Sequence, residues 1–188
     1  MINVAIFASG SGSNAENIAE YFKGDENINI VLIVSNKKDA FVHERAKKLN
    51  IESVTFAKND FETTNKVLDY LKENKVDFIV LAGFLLKVPD NLLQAFPDKI
   101  VNIHPALLPK FGGKGMYGDA VHKAVVEAGE TESGITIHYV NENYDEGAVI
   151  FQAKCPVLKS DTYEDVAKKV HTLEYMHFPI IIEKLLKA

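Results

Sequence analysis

The sequence has a single cysteine, Cys155, so it can close no disulfide within the chain and can build no cysteine-rich zinc site. A reducing compartment, the cytoplasm, is the expected location. Concentrated positive charge is also missing. The 21 Lys and Arg stand against 26 Asp and Glu for a net charge of -5, and no basic run exceeds the pairs Lys37-Lys38, Lys47-Lys48 and Lys168-Lys169. Nucleic acids and anionic membranes need a dense positive field, so neither is an expected partner, and an anionic ligand must be gripped locally. The longest uncharged apolar stretch, residues 78–86, is interrupted by Gly83 and is far short of the roughly 20 residues of a membrane helix. Residues 1–4 lack the basic-then-apolar pattern of an export signal. Metal-ligand spacing is absent as well: His104, His122 and His138 are scattered and no H-E-x-x-H occurs, so no metal is expected.

What remains is the composition of an ordinary folded chain, 47% hydrophobic and 25% charged over 188 residues, long enough for one domain that buries about 70% of its unfolded surface. Short apolar runs alternate with amphipathic stretches, the pattern of βαβ units. Strands are expected over residues 3–8, 28–35, 53–56, 78–82 and 100–103, then 134–140 and 148–158. Helices are expected over 13–22, 41–49, 61–73 with Asp60 as N-cap, 119–128, and from 162 onward with a bend or break at Pro179. Near-continuous hydrophobic strands such as Ile30-Val31-Leu32-Ile33-Val34 require cover on both faces. The expected fold is α/β, a mostly parallel twisted sheet with helices on both faces, in one domain over 1–188. Residues 105–118, rich in Gly and Pro, read as a long loop of the kind that closes over a ligand.

Four places could carry chemistry. The turn Gly10-Ser11-Gly12-Ser13-Asn14-Ala15 follows a strand and opens a helix, so its N–H groups and the helix dipole could face a phosphate. It also fits the dinucleotide fingerprint G-x-G-x-x-A. The second strand ends without the acidic residue that NAD requires, although Ser35, Lys37 and Lys38 could hold an NADP 2′-phosphate; a tight turn without ligand is the plainer alternative. Asn102 and His104 alternate onto one face where a strand ends at Pro105, which suits an oxyanion donor and a proton carrier or simply a satisfied polar pair. The acidic segment 141–147 has the composition of any Asn- and Asp-rich turn, and His138 just before it could line a cleft or face solvent. Glu174 falls in an apolar helical stripe with Ala167, Val170 and Phe178, where it needs a cationic or hydrogen-bonding partner or an edge position reaching water.

Taken in order, Gly10-Ser11-Gly12-Ser13-Asn14, Leu81-Ala82-Gly83-Phe84, Asn102-Ile103-His104-Pro105 with Leu107-Leu108-Pro109, and Asp145-Glu146-Gly147 closely resemble the folate-dependent formyltransferase family. The G-x-G-S-N turn resembles the branch of glycinamide ribonucleotide transformylases. The resemblance implies a Rossmann-like formyltransferase fold and transfer of a formyl group from 10-formyltetrahydrofolate, the co-substrate, to the amine of glycinamide ribonucleotide in purine synthesis. By it, Ser11, Gly12, Ser13 and Asn14 bind the substrate phosphate, Glu174 meets the substrate amine and ribose, and Asn102, His104 and Asp145 are the catalytic triad. Leu85, Leu86 and Val88, with Asn141 and Asp145, would hold the folate. Residues up to about 100 would form the phosphate-binding half and residues 101–188 the catalytic and folate-binding half. Branches that act on tRNA or on the folate itself carry further domains, which 188 residues are not expected to hold. The resemblance implies small-molecule substrates, no metal, and a monomer or homodimer. Two features depart from the family pattern: Leu85-Leu86 stand where it often has Met-Arg, and 111–118 is long and glycine-rich.

Overall fold

The computed structural model describes residues 1–188. A seven-stranded sheet is built from β1 (Ile2–Phe7), β2 (Ile28–Ser35), β3 (Glu52–Thr55), β4 (Phe78–Leu81), β5 (Ile100–His104), β6 (Glu132–Tyr139) and β7 (Val149–Pro156). The order is β3-β2-β1-β4-β5-β6-β7, parallel as far as β5 and antiparallel from β5 to β7. The α/β class and the helix-clad, mostly parallel sheet are as expected.

Alternation along each strand sends side chains to two separate cores. From β1, Val4 and Ile6 enter one cluster while Ala5 and Phe7 enter the other. The first is covered by α1 (Ser13–Tyr21), α2 (Val42–Leu49), α6 (Asp119–Glu127) and α7 (Tyr163–Leu186), through residues such as Ile18, Val42, Val125 and Phe178. The second is covered by α3 (Lys58–Thr63), α4 (Lys66–Glu73) and α5 (Asp90–Ala95), through Phe61, Leu71 and Leu92. Because the chain winds outward from β1 in one direction and from β4 in the other, loops diverge above their carboxyl ends and leave a crevice there.

Two local expectations fail, and of the two alternatives at Pro179 the break does not occur, each for an identifiable reason. The single helix over 61–73 is two helices, because Thr64 is extended and its hydroxyl donates to the Asp60 carbonyl (2.7 Å) and accepts the Lys66 N–H (3.2 Å), side-chain bonds that compete with a helical turn. Asp60 is not the N-cap; it lies inside α3, where its carboxylate accepts the Ala57 N–H at 3.1 Å. And α7 runs unbroken through Pro179. Proline removes the N–H that would bond the carbonyl four residues earlier, and that carbonyl, of Tyr175, instead accepts the side-chain amide of Asn17 at 3.0 Å. At the other end of α7, Thr162 and Asp165 form a reciprocal capping box. The short α5 is an addition to the expected elements.

Candidate active site

A cavity of about 690 Å³ opens over the carboxyl ends of β1, β4 and β5 and is closed by the 113–119 segment, the turn after β6 and the middle of α7. That volume suits a ligand of metabolite or cofactor size. Every residue to which the resemblance gives a role lines it: Ser11, Gly12, Ser13 and Asn14, then Leu85, Leu86 and Val88, then Asn102 and His104, and finally Asn141, Asp145 and Glu174.

One wall is the turn into α1. The N–H groups of Ser11, Gly12, Ser13 and Asn14 meet no acceptor within the chain, as the first turn of a helix requires, and they stand at the positive end of the helix dipole. Gly12 takes a left-handed φ of 72°, and a Cβ there would fall on the Val42 side chain and within 2.9 Å of its backbone. Only glycine lets α1 and α2 approach this closely. The turn is held from outside by Arg45, whose Nε donates to the Ser11 carbonyl (2.8 Å) and whose guanidinium also pairs with Glu16. Nothing in the residue pattern points to Arg45. Of the three residues that could hold an NADP 2′-phosphate, Ser35 is fully buried and its hydroxyl accepts the Lys37 N–H at 3.2 Å; of the other two, only Lys37 lines the cavity.

Opposite lies a compact polar group. The Phe111 carbonyl can only accept, so the 2.7 Å contact from His104 Nε2 places that ring's proton on Nε2 and leaves Nδ1 bare. Asp145 Oδ2 stands 3.5 Å from that Nδ1, a gap that a proton placed between them would close. By the same logic the Tyr139 carbonyl holds the proton of His138 on Nδ1 (2.8 Å), so its Nε2 accepts one N–H of the Asn102 amide at 3.1 Å. This fixes Asn102 with its second N–H free. His138 is buried at this wall rather than turned to solvent. Asp145 sits in a left-handed backbone conformation at the turn, and its Oδ2 accepts the Gly113 N–H at 3.0 Å. The 105–118 loop thus grips both members of the pair, His104 through Phe111 and Asp145 through Gly113.

The electrostatics follow from burial and these contacts. Desolvation pushes the His104 imidazole below its ordinary value, against the opposing pull of Asp145, so it is neutral near pH 7. For Asp145, burial alone would raise the carboxyl, yet it is held below the usual range by His138, whose Nε2 lies 3.6 Å from Oδ1, by His104 across its 3.5 Å gap and by the Gly113 N–H, the two imidazoles acting when the nitrogen facing the carboxylate carries a proton. A neutral base beside an ionised carboxylate is an arrangement ready to accept a proton.

Between the two walls stands Glu174, only 5% exposed. It is neither an edge residue nor unpaired: its Oε2 accepts from Asn14 Nδ2 and meets His171 Nδ1, each at 3.0 Å. The last wall carries Leu85, Leu86 and Val88 together with Asn141 and Asp145. It sets apolar side chains beside an amide and a carboxylate, which suits a flat heterocycle with polar edges. Ser9 ties this wall to the rest, its hydroxyl accepting the Leu85 N–H (2.9 Å) and donating to Asn36 (2.6 Å).

Proteins of known structure and sequence share this construction. A structure from Anaplasma phagocytophilum described as phosphoribosylglycinamide formyltransferase superposes with a TM-score of 0.90 at 30% identity, covering 99% of this chain and 87% of its own. Among sequences, a phosphoribosylglycinamide formyltransferase of Bacillus subtilis is 37% identical over 191 residues, 99% of this chain and 95% of its own length. A chloroplastic protein of the same name from Arabidopsis thaliana is 47% identical over 173 residues. The chain spans about 60% of the length of that plant relative and of its Vigna unguiculata counterpart. The sequence pattern of the family described as formyl transferase matches residues 2–182, a span that takes in every wall of the cavity. By that match over nearly its whole length, and by relatives well above 30% identity along most of theirs, the chain belongs to the formyl transferase family.

Proposed function

We propose that the chain transfers the formyl group of 10-formyltetrahydrofolate to the amine of 5′-phosphoribosylglycinamide, giving formylglycinamide ribonucleotide and tetrahydrofolate in purine synthesis. The observation that carries this reading is the single cavity in which unpaired N–H groups at a helix start, a buried glutamate and the Asn102, His104 and Asp145 group succeed one another. A phosphorylated amine needs those three elements in that order. Ser11, Gly12, Ser13 and Asn14 take the phosphate by charge-assisted hydrogen bonds without a basic side chain. Glu174 receives the ribose and amine end. The folate, whose role is to present the formyl carbon, is held by Leu85, Leu86 and Val88 with Asn141 and Asp145.

Attack of the neutral amine on the formyl carbon makes a carbon–nitrogen bond and leaves negative charge on the formyl oxygen. The free N–H of Asn102 donates to that oxygen, where one such donor contributes about 3–4 kcal/mol of transition-state stabilisation. His104 is differently employed from a direct donor, since its Nε2–H is given to Phe111. Its bare Nδ1, facing Asp145, takes the proton that the attacking amine must lose, and the resulting imidazolium is stabilised by that carboxylate. The proton then passes to the folate nitrogen as its bond to the formyl carbon breaks. No enzyme nucleophile is needed.

The same reading gives one domain with a phosphate-binding first half and a catalytic, folate-binding second half, small-molecule partners only, and a monomer or homodimer. No helix is long and apolar enough to cross a membrane, and a cytoplasmic setting accords with the lone, buried Cys155. The test is turnover of 10-formyltetrahydrofolate by the purified chain with and without glycinamide ribonucleotide. Formyl transfer dependent on the ribonucleotide is expected. Folate consumption that ignores the ribonucleotide, or none at all, would overturn the proposal.

A further inference from the structure

Behind the cavity, and no part of its lining, a threonine and a glutamine bind three backbone groups of one short segment. Thr136 of β6 is fully buried and stands opposite His104 on one side and Gln152 of β7 on the other. Its hydroxyl donates to the Ala106 carbonyl at 2.7 Å and accepts the Leu108 N–H at 3.0 Å. The side-chain amide of Gln152 gives one hydrogen to that same hydroxyl (2.9 Å) and the other to the Leu108 carbonyl (3.0 Å). The hydroxyl thereby uses its one donor and both of its acceptor positions. Keeping the strands together does not require this, since β6 is already paired along its length with β7. The bonds serve residues 106–108, where the 105–118 loop begins. Leu108 in turn packs against Gly112, where a Cβ would fall 2.5 Å from the Leu108 Cδ2 and 3.4 Å from the Cβ of Asp145. On either side of Gly112 stand the Phe111 carbonyl that binds His104 and the Gly113 N–H that binds Asp145. Phe111 has a φ of 56°, a left-handed conformation that a bulky residue keeps only where its surroundings impose it.

We infer that Thr136 and Gln152 are positioning residues for the reaction: by fixing residues 106–108 they hold the Phe111 carbonyl on His104, which keeps the proton of that ring on Nε2 and its Nδ1 bare. The inference rests on the proposed proton-accepting role of His104 and deepens it by naming what sets the tautomer. A neutral imidazole has one N–H to give, and His104 has an acceptor at each nitrogen. On the Nε2 side it is the Phe111 carbonyl at 2.7 Å; on the Nδ1 side it is the Asp145 carboxylate at 3.5 Å. A carboxylate is the stronger acceptor of the two, so the proton stays on Nε2 only while the carbonyl is held close. Once the loop start is loosened the carbonyl withdraws and the proton goes to Nδ1, toward Asp145. That nitrogen can then no longer take the proton of the attacking amine, and the imidazolium cannot form where the carboxylate would stabilise it.

The test compares the wild type with Thr136→Val, Thr136→Ser and Gln152→Glu, the last keeping the side-chain shape but having no hydrogen to donate near pH 7. Two quantities are read: the tautomer of His104, by NMR of the ring nitrogens in histidine-labelled protein without substrates, and steady-state kcat and KM. The wild type should carry the His104 proton on Nε2. Thr136→Val and Gln152→Glu should shift it toward Nδ1 and lower kcat roughly ten- to a hundredfold, with both KM values within about threefold. Thr136→Ser, which restores the hydroxyl, should recover both the Nε2 proton and kcat. A proton that stays on Nε2 in Thr136→Val and Gln152→Glu, a kcat that holds although the proton has moved, or a loss that Thr136→Ser leaves in place would each overturn the inference. The tautomer is read independently of turnover, so a proton that moves as stated in a chain transferring no formyl group would uphold the positioning and overturn the proposed function. Should Thr136→Val fail to fold, Gln152→Glu, at an exposed position of the edge strand, still decides.

Discussion

Replacing Asp145 by Asn keeps the shape of the side chain and an oxygen to accept the Gly113 N–H, so the 105–118 loop keeps its hold, but it removes the charge facing His104. The carboxylate oxygen lies 3.5 Å from Nδ1, in a pair whose side chains are 4% and 11% exposed. For an imidazolium formed during the reaction, a unit charge at that distance is worth about 5 kcal/mol at an effective dielectric constant of about 20. Solvent reaching the cavity screens part of this, leaving about 3 kcal/mol, which is a fall of roughly a hundredfold in kcat. The pH dependence carries a second signature. Asp145 is the largest influence raising the His104 pKa against desolvation, so its loss should move the acid limb of the rate profile to lower pH. The assay is single-turnover formyl transfer across pH, with ribonucleotide and folate affinities measured apart. A loss confined to affinity, a kcat within threefold of the wild type, or an acid limb that stays or moves upward would refute the proton-accepting role of the pair.

Asn102→Ala should cost about 10²–10³ in kcat by removing the oxyanion donor, with the fold retained as judged by an unchanged circular dichroism spectrum. Arg45→Ala frees the Ser11 carbonyl from its 2.8 Å brace and should raise the KM for the ribonucleotide severalfold while kcat and folate affinity hold, measured by steady-state kinetics and titration. Asn17→Ala strips the Tyr175 carbonyl of its donor next to Pro179 and should lower stability by about 1 kcal/mol in urea unfolding. His104 and His122 both have folded-state pKa values below the ordinary 6.5, so their stabilising effect is present above that value and is lost as pH falls below it. His171 works in the opposite sense, being raised by its bond to Glu174. Thermal unfolding from pH 8 to pH 5 should therefore show a falling midpoint that flattens when both buried histidines are replaced.

Why the strands are legible in the sequence and some helix ends are not comes down to which interactions decide each. β2 reads as apolar along nearly its whole length because both of its faces are buried by helices, and no competing arrangement satisfies that run. The break at Thr64 depends on a hydroxyl choosing backbone partners on both sides of itself, a choice any Thr can make and few do. At Pro179 the rule that proline interrupts a helix is sound as far as the chain itself goes. It fails because the orphaned carbonyl finds Asn17, 158 residues away, and no local pattern could announce that partner.

The site divides along the same line. Residues whose role lies in their own type and neighbours, the Gly-Ser turn and the Asn102 and His104 pair at a strand end, stand out in the amino-acid sequence by themselves. Others acquire meaning only through a distant contact. Glu174 could have reached water past the edge of its stripe; the Asn14 amide and His171 instead enclose it, and that enclosure turns an ordinary helical glutamate into the floor of the cavity. His138 could have faced solvent, yet antiparallel pairing of β6 sets it opposite Asn102, where its tautomer decides which way the amide points. Gly113 is the clearest instance. Its φ of 95° is a conformation that side-chain-bearing residues rarely adopt, so the glycine-rich stretch has a use at this position: it lets the loop bend back and present an N–H to Asp145. The same chain of contacts leads from that bend to the carboxylate, from the carboxylate to His104, and from His104 through Phe111 back to the loop, so a change at 111–113 should reach the proton-accepting pair without touching either of its members.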